Sequence, residues 1–197
     1  MRTRVLAVAA SSAFLLLGAA CSSQDSTSAG PDSSVVADEP RNEADATFAH
    51  GMIPHHEQAV VMTKLAPERT QNAQVLDLAE RIEAAQAPEI DQMKGWLAAW
   101  GDPHKPGMDG MGGMAGMGGM KGMMSDDQMA ALTAASGPAF DKMFLEMMIA
   151  HHEGAIEQAK TEKADGEFPE ALTLADEITA SQQSEIDEMR GILSKLV

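Results

Sequence analysis

The sequence predicts an all-α protein, an antiparallel four-helix bundle built from two duplicated helical hairpins that a Met/Gly-rich loop joins. The main observation is an internal repeat, because residues 48–97 match residues 144–193 without a gap at 20 of 50 positions. The identical residues recur at steps of three and four, which places them on one face of each helix. The predicted helical stretches lie at roughly 42–66, 70–100, 126–163 and 167–196.

The N-terminal segment predicts export and attachment to a membrane. Residues 1–20 combine two arginines, an apolar run too short to span a bilayer and a stretch of small residues, as an export signal does. Cys21, the only cysteine, follows the sequence LGAA, which resembles a bacterial lipoprotein signal in which this cysteine is lipidated. The alternative is an ordinary signal peptide followed by a chance cysteine. Residues 21–41, rich in Ser, Asp and Pro, are predicted to be a disordered tether.

The remaining residues, 42–197, are long enough for one domain with a real core. The domain is predicted to comprise a first hairpin at 42–100, a Met/Gly-rich loop at 101–124 and a second hairpin at 125–197. Pro67 and Pro169 lie near the expected turns, where a missing N–H does least harm. Pro88 lies inside the second helix and predicts a kink or a break there.

Each hairpin repeats one stripe of residues on its first helix and another on its second. The first stripe holds the identical pairs Asp45/Asp141, Phe48/Phe144, Met52/Met148, His55/His151 and Ala59/Ala155. The second stripe holds Ala79/Ala175, Ile82/Ile178, Gln86/Gln182, Glu89/Glu185, Met93/Met189 and Leu97/Leu193. A stripe that faces the interior should be apolar unless its polar members have partners. The repeated His, Gln, Glu and Met residues therefore predict a site inside the bundle.

The expected helix pairing brings these polar residues together. If the first hairpin turns near Arg69, Met52 lies roughly level with Gln86, and His55 lies within about one turn of it. Pseudo-twofold packing of the hairpins would bring the residues of both halves to one interior. The pairs His56/His152 and Glu57/Glu153 are also repeated, but about 100° per residue separates them from the stripe. They are expected to flank the site or to orient the ligating imidazoles.

Two sets of residues follow from this pattern. The predicted metal ligands are His55, His56, His151, His152, Met52, Met148, Glu89, Glu185, Met93 and Met189. The residues predicted to surround and orient them are Glu57, Glu153, Gln86, Gln182, Asp45 and Asp141. The alternative for the methionines is that they fill the core, which methionine at helical spacing usually does. The alternative for a histidine is a hydrogen-bonded position in the core.

The repeated segments resemble a known family. DATFAHGMIPHHEQAVVM and DKMFLEMMIAHHEGAIEQA are followed by AAQAPEIDQMKGWL and ASQQSEIDEMRGIL respectively. These segments resemble the bacterial family called domain of unknown function 305, with its pattern D-x-x-F, M-I-x-H-H and Q-x-x-E-I-x-x-M. The resemblance covers about 42–197. It implies a ferritin-like four-helix bundle in an exported protein, with copper binding or copper tolerance as the activity.

Copper is the metal that these side chains favour. Thioethers and imidazoles suit soft Cu(I), whereas imidazole with carboxylate or amide oxygen suits Cu(II). The loop adds a second set of soft ligands, because methionine recurs there every third residue among glycines. The predicted loop ligands are His104, Met108, Met111, Met114, Met117, Met120, Met123 and Met124. A loop so rich in glycine is not expected to pack its side chains, and the alternative is a linker whose composition has drifted.

The sequence argues against several other functions. A formal net charge of −16 disfavours contact with nucleic acid or anionic membranes. The Glu-x-x-His pairs of a di-iron oxidase are absent, and Val60 and Ile156 stand where a zinc-protease helix needs its second histidine. We therefore expect a lipoprotein outside the cytoplasm that binds copper for buffering, sequestration or tolerance, with no organic cofactor and no catalytic residue. The alternatives are a structural or interaction lipoprotein and a metal-dependent oxidase.

Overall fold

A computed structural model describes residues 39–103 and 120–196, and all regular structure in these residues is helical. The predicted all-α class is therefore confirmed. The five helices are α1 (Glu43–Arg69), α2 (Ala73–Ala99), α3 (Asp126–Ala134), α4 (Gly137–Asp165) and α5 (Pro169–Leu193). None of them is long and apolar enough to cross a membrane. The predicted signal, Cys21 and nearly all of the tether lie outside the described residues.

The stretch predicted as a single helix at 126–163 forms two helices instead, α3 and α4. Ser136 has extended backbone, and Gly137 adopts a φ of +58°, so neither residue continues α3. Pro138 follows in the first turn of α4, where its missing N–H breaks no hydrogen bond. Leu132 on α3 is fully buried, which fixes this short helix against the rest of the core.

The helix containing Pro88 runs without a break from Ala73 to Ala99, so the predicted break does not occur. Pro88 is exposed. Because its ring faces water, the backbone carbonyl that it leaves without a helical partner can be hydrated.

Each hairpin is antiparallel, as the ion pairs across it show. In the first hairpin, Glu57 pairs with Lys94 at 2.6 Å and Lys64 with Glu83 at 3.8 Å. In the second hairpin, Glu153 pairs with Arg190 at 2.8 Å, and Lys163 pairs with Asp176. The hairpins meet along α1 and α4, whereas α2 and α5 barely touch. We call the line of contact between α1 and α4 the α1–α4 seam.

The apolar core is divided into two clusters at opposite ends of the long helices. The first, which we call the Trp cluster, includes Phe48, Met52, Met93, Trp96, Phe168 and Ile178. The second, which we call the Phe cluster, includes Met62, Leu78, Leu132, Phe140, Met148 and Met189. Each cluster contains residues from one end of each of the four long helices, so neither cluster fills the middle of the molecule.

Asp45 on the first hairpin binds the turn of the second hairpin, and Asp141 on the second hairpin binds the turn of the first. Asp45 accepts hydrogen bonds from the backbone N–H groups of Glu167 and Phe168 at 3.0 and 2.9 Å. Asp141 accepts one from the side-chain amide of Asn72 at 3.2 Å. The prediction that these aspartates surround the metal ligands is wrong, because ten residues of helix, about 15 Å, separate each from the histidine of its repeat.

Glu162 is buried against Asp45 and is exposed to only 1%. Although burial opposes it, backbone hydrogen bonds from Asn42 and Phe168 hold the pKa of Asp45 below its usual value. Burial, with the neighbouring Asp45 carboxylate, raises the pKa of Glu162 to about 8. Burial beside an ionised carboxylate therefore favours the protonated form of Glu162 at neutral pH.

We predict that Glu162→Gln stabilises the protein increasingly as the pH rises. A carboxyl group whose folded pKa of about 8 exceeds its ordinary 4.5 stabilises the fold fully below pH 4.5, and this contribution is lost as the pH rises towards 8. The amide of glutamine can donate to Asp45 without titrating. The melting temperature of the variant, measured from pH 5 to pH 9, should exceed that of the parent by a growing margin, whereas the exposed Glu80→Gln should track the parent. A constant difference would contradict this account.

Candidate metal centre

A layer of polar side chains lies between the Trp cluster and the Phe cluster, close to the midpoint of each long helix. Eight residues form this histidine layer: His55, His56, Gln86, Glu89, His151, His152, Gln182 and Glu185. The four imidazoles are fully buried, and both glutamines are about 2% exposed. The predicted interior site is thus a cross-section of the core rather than a surface cleft.

His55 and His151 meet at the centre of the layer. Their ring centroids are 3.8 Å apart, with 45° between the ring planes. The two residues occupy equivalent positions in the repeat, so the pseudo-twofold axis relating the hairpins passes close to their contact. Neither ring nitrogen of either residue has a hydrogen-bond partner among the described residues. Four imidazole nitrogens are therefore buried together without partners.

Burial keeps both central imidazoles neutral. Burial, together with the neighbouring His56, lowers the pKa of His55 to about 3. Burial also lowers the pKa of His151 well below its ordinary value, with His55 as the next cause. A neutral imidazole carries one nitrogen lone pair, which is the form that binds metals. The two rings thus present lone pairs that no proton occupies at neutral pH.

His56 and His152 each contact a carboxylate from the second helix of their own hairpin. His56 Nε2 lies 2.6 Å from Glu89 Oε2, and His152 Nε2 lies 2.7 Å from Glu185 Oε2. The remaining nitrogen, Nδ1, of each ring is buried without a partner in the described chain. A carboxylate on one nitrogen fixes the orientation of the ring and makes the other nitrogen a better ligand.

The structure exchanges the roles predicted for two pairs of glutamates. Glu89 and Glu185 were expected to bind metal, but their carboxylates contact imidazoles and so orient them. Glu57 and Glu153 were expected to orient the imidazoles, but they form surface ion pairs with Lys94 and Arg190. Glu57 directly follows two buried histidines on the helix, and the rotation from one residue to the next turns its side chain toward solvent.

The register of the first hairpin also differs from the prediction. His56 lies opposite Glu89. Because the two helices are antiparallel, Met52, four residues before His56, lies level with Met93, four residues after Glu89. Gln86 therefore lies on the other side of the histidines from Met52. Both polar atoms of the Gln86 side chain and the Oε1 atom of Gln182 are buried without partners in the described chain. These amides add unpaired polar groups to the layer.

The four predicted methionine ligands flank the layer on its two sides. Met52 and Met93 belong to the Trp cluster, and Met148 and Met189 belong to the Phe cluster. All four are fully buried. Within residues 39–103 and 120–196, no three His, Cys, Asp or Glu side chains converge as a ready-made metal site. The arrangement instead offers two imidazoles with thioethers nearby, which suits a soft ion of low coordination number.

The end of the Met/Gly-rich loop packs on the protein at the level of the layer. Met123 and Met124 are 7% and 6% exposed, so the expectation that no loop side chain packs is wrong for both. Met120 is partly buried, and His104, Met108, Met111, Met114 and Met117 lie outside the described residues. The loop can pack here because Gln58 holds the backbone of Met124 through two hydrogen bonds.

Gln58 and its counterpart Gly154 were missed in the sequence. The repeat contained a signal, since position 58 is the only mismatch between residues 55–59 and 151–155. In the structure, Gln58 on α1 forms hydrogen bonds with the end of the loop. Gly154 on α4 has no side chain that would collide with it.

Comparisons with known proteins agree with this fold. A DUF305 protein from Streptomyces coelicolor, described as a proposed secreted protein, is 34% identical and has a TM-score of 0.69, with 78% of this chain and 93% of that chain covered. A DUF305 fragment from Deinococcus radiodurans is 29% identical, with a TM-score of 0.70 and coverage of 79% and 99%.

The protein CopM in its Cu(II)-bound form is 33% identical, with a TM-score of 0.66 and coverage of 78% of this chain and 97% of that chain. Its Cu(I)-bound form is 30% identical, with a TM-score of 0.64. Among curated protein sequences, none matches this chain. The sequence model of domain of unknown function 305 matches residues 45–193. The chain therefore belongs to the DUF305 family.

Proposed function

We propose that this protein binds copper at the histidine layer, with His55 and His151 as the central ligands. The observation that carries the proposal is the contact of two buried, neutral imidazoles whose four nitrogens have no partner in the described chain. An unpaired buried polar group costs about 1–3 kcal/mol. Two unpaired imidazoles in the core therefore lower the stability of the fold, and a metal ion bound to their nitrogens would explain their presence.

The chemistry of the surrounding groups supports copper. Cu(I) takes two or three soft ligands and needs no deprotonation of a thioether, which fits His55 and His151 with one of the flanking methionines. Cu(II) prefers imidazole with oxygen ligands, for which His56, His152 and the layer glutamines are candidates. CopM, the copper-bound relative, shares about 30% of its residues with this chain over most of its length.

We propose a wider setting for this site from the sequence. The four long helices would form a ferritin-like bundle, lipidation at Cys21 would hold it at the outer face of the cell membrane, and the role would be sequestration, buffering or tolerance. The loop methionines outside the described residues would store further Cu(I). No catalytic residue is proposed. A metal-dependent oxidase is the enzymatic alternative, but no observation among the described residues favours it.

The rival proposal is a structural or interaction lipoprotein whose histidines belong only to the core. It accounts for His56 and His152, which have carboxylate partners. It does not account for His55 and His151, whose nitrogens have none in the described chain.

We predict that His55→Leu combined with His151→Leu abolishes tight Cu(I) binding and stabilises the metal-free protein. Leucine has nearly the volume of histidine but no polar atoms, so the variant loses the ligands together with the penalty for the unpaired groups, which is about 1–3 kcal/mol for each. Anaerobic Cu(I) titration against a chelator would measure affinity, and urea unfolding would measure stability.

The matched control is His50→Ala, which removes a partly exposed histidine that contacts Asp102. This variant should keep the parental affinity. Unchanged Cu(I) affinity in the double variant would place the site elsewhere, and a less stable metal-free protein would favour the structural rival.

The proposed anchor gives a separate prediction. Cys21→Ser should move the protein from the membrane fraction to the soluble fraction outside the cytoplasm, because a single lipidated cysteine would be its attachment and the tether is polar. Fractionation of cells that express parent and variant would measure this. A variant that stays with the membrane would contradict lipid anchoring.

A further inference from the structure

The segment Lys121–Met124 crosses the α1–α4 seam and includes most of a tight turn that begins at Met120. The backbone N–H of Met123 donates to the carbonyl of Met120 at 3.1 Å, which closes the turn. Gly122 occupies the third position of the turn with a φ of +85°, a conformation that L side chains rarely adopt. The turn is therefore a defined conformation, although it ends a glycine-rich loop.

On the α4 side, the turn makes backbone-to-backbone contact. A Cβ at position 122 would lie 2.7 Å from the carbonyl oxygen of Ala150 and 2.9 Å from that of His151. A Cβ at position 154 would overlap the carbonyl oxygen of Lys121. Both contacts exist because Gly122 and Gly154 have no side chain, and they lie within one helical turn of His151.

On the α1 side, one side chain holds the segment. Gln58 donates from Nε2 to the carbonyl of Met124 at 2.9 Å, and the N–H of Met124 donates to Gln58 Oε1 at 2.7 Å. Gln58 lies one helical turn from His55. The backbone carbonyl of Lys121 also approaches the His55 ring, although no hydrogen bond of ordinary geometry forms.

We propose that Lys121–Met124 is a latch that closes the α1–α4 seam over His55 and His151 and must open for a metal ion to enter or leave. This inference rests on the proposed function of the histidine pair. The two rings are fully buried at the seam, and the latch crosses the seam at their level. It is held by the two Gln58 hydrogen bonds, the two glycine contacts, an ion pair between Lys121 and Glu157, and the buried side chains of Met123 and Met124. Opening this short segment separates no packed helices, so it requires less free energy than parting α1 from α4.

The first test removes the hydrogen bonds. Gln58→Ala should speed hydrogen exchange of the Met124 amide about tenfold, since two hydrogen bonds close that end of the latch. It should also speed Cu(I) uptake from a chelator and Cu(I) release to a chelator by a similar factor. Both rates change together, so the dissociation constant should stay within about threefold of the parental value. The control is Gln74→Ala, which changes an exposed glutamine on α2.

The second test displaces the latch by adding a methyl group. Gly154→Ala improves helix propensity but forces the Lys121 carbonyl away, so it should also speed Cu(I) exchange. The matched control is Gly191→Ala, a helical glycine whose added Cβ would meet nothing within 4 Å. It shares the gain in propensity but should leave both rates unchanged. Equal rates for these two variants would overturn the latch.

The outcomes separate the latch from the proposed function. Absence of tight Cu(I) binding by the parent would overturn both proposals. Tight binding with unchanged exchange rates in Gln58→Ala, despite faster exchange of the Met124 amide, would overturn the latch alone. Faster hydrogen exchange together with faster metal exchange, at a nearly constant dissociation constant, is the result that the latch predicts.

Discussion

The contact between His55 and His151 is the constraint on which the rest of the structure depends. Two neutral imidazoles touch at the centre of the core, with 3.8 Å between their centroids and no hydrogen-bond partner in the described chain. Such a contact opposes folding unless the surrounding residues hold it in place. The Trp cluster and the Phe cluster do so from opposite ends, since each packs residues of all four long helices. The apolar clusters thus stabilise a fold whose central polar layer lowers stability, and we propose that this layer binds copper.

The duplication explains why the site lies where it does. Each hairpin contributes one central histidine, one histidine paired with a glutamate, and two methionines, and the pseudo-twofold packing of α1 on α4 joins the two sets. At one repeat position the first half has Gln58 and the second has Gly154, and both residues contact the turn that lies over the seam. The repeated hairpins are therefore covered asymmetrically, because the turn meets a glutamine side chain on α1 and a glycine on α4.

The sequence predicted the helical class, the repeated stripes and the buried histidines, because periodicity and duplication record which face of a helix is buried. It did not predict the register, because a short shift of the turn moves every cross-helix pair and exchanges the neighbours of Met52. The predicted roles of Glu89 and Glu57 are exchanged in the structure. The angular position of each side chain on its helix determines whether it faces an imidazole or the solvent. The burial of Met124 could not be predicted either, since it depends on contacts with Gln58, which is distant in the sequence.

Nitrogen-15 NMR of the imidazoles during addition of one equivalent of Cu(I), without oxygen, tests the central claim most directly. Spectra that correlate each ring nitrogen with its carbon-bound protons distinguish His55, His151 and the surface histidine His50. The account predicts that one nitrogen each of His55 and His151 shifts strongly to the metal-bound range, while both nitrogens of His50 stay unchanged. Tight Cu(I) binding that leaves the nitrogens of His55 and His151 unshifted would contradict the account.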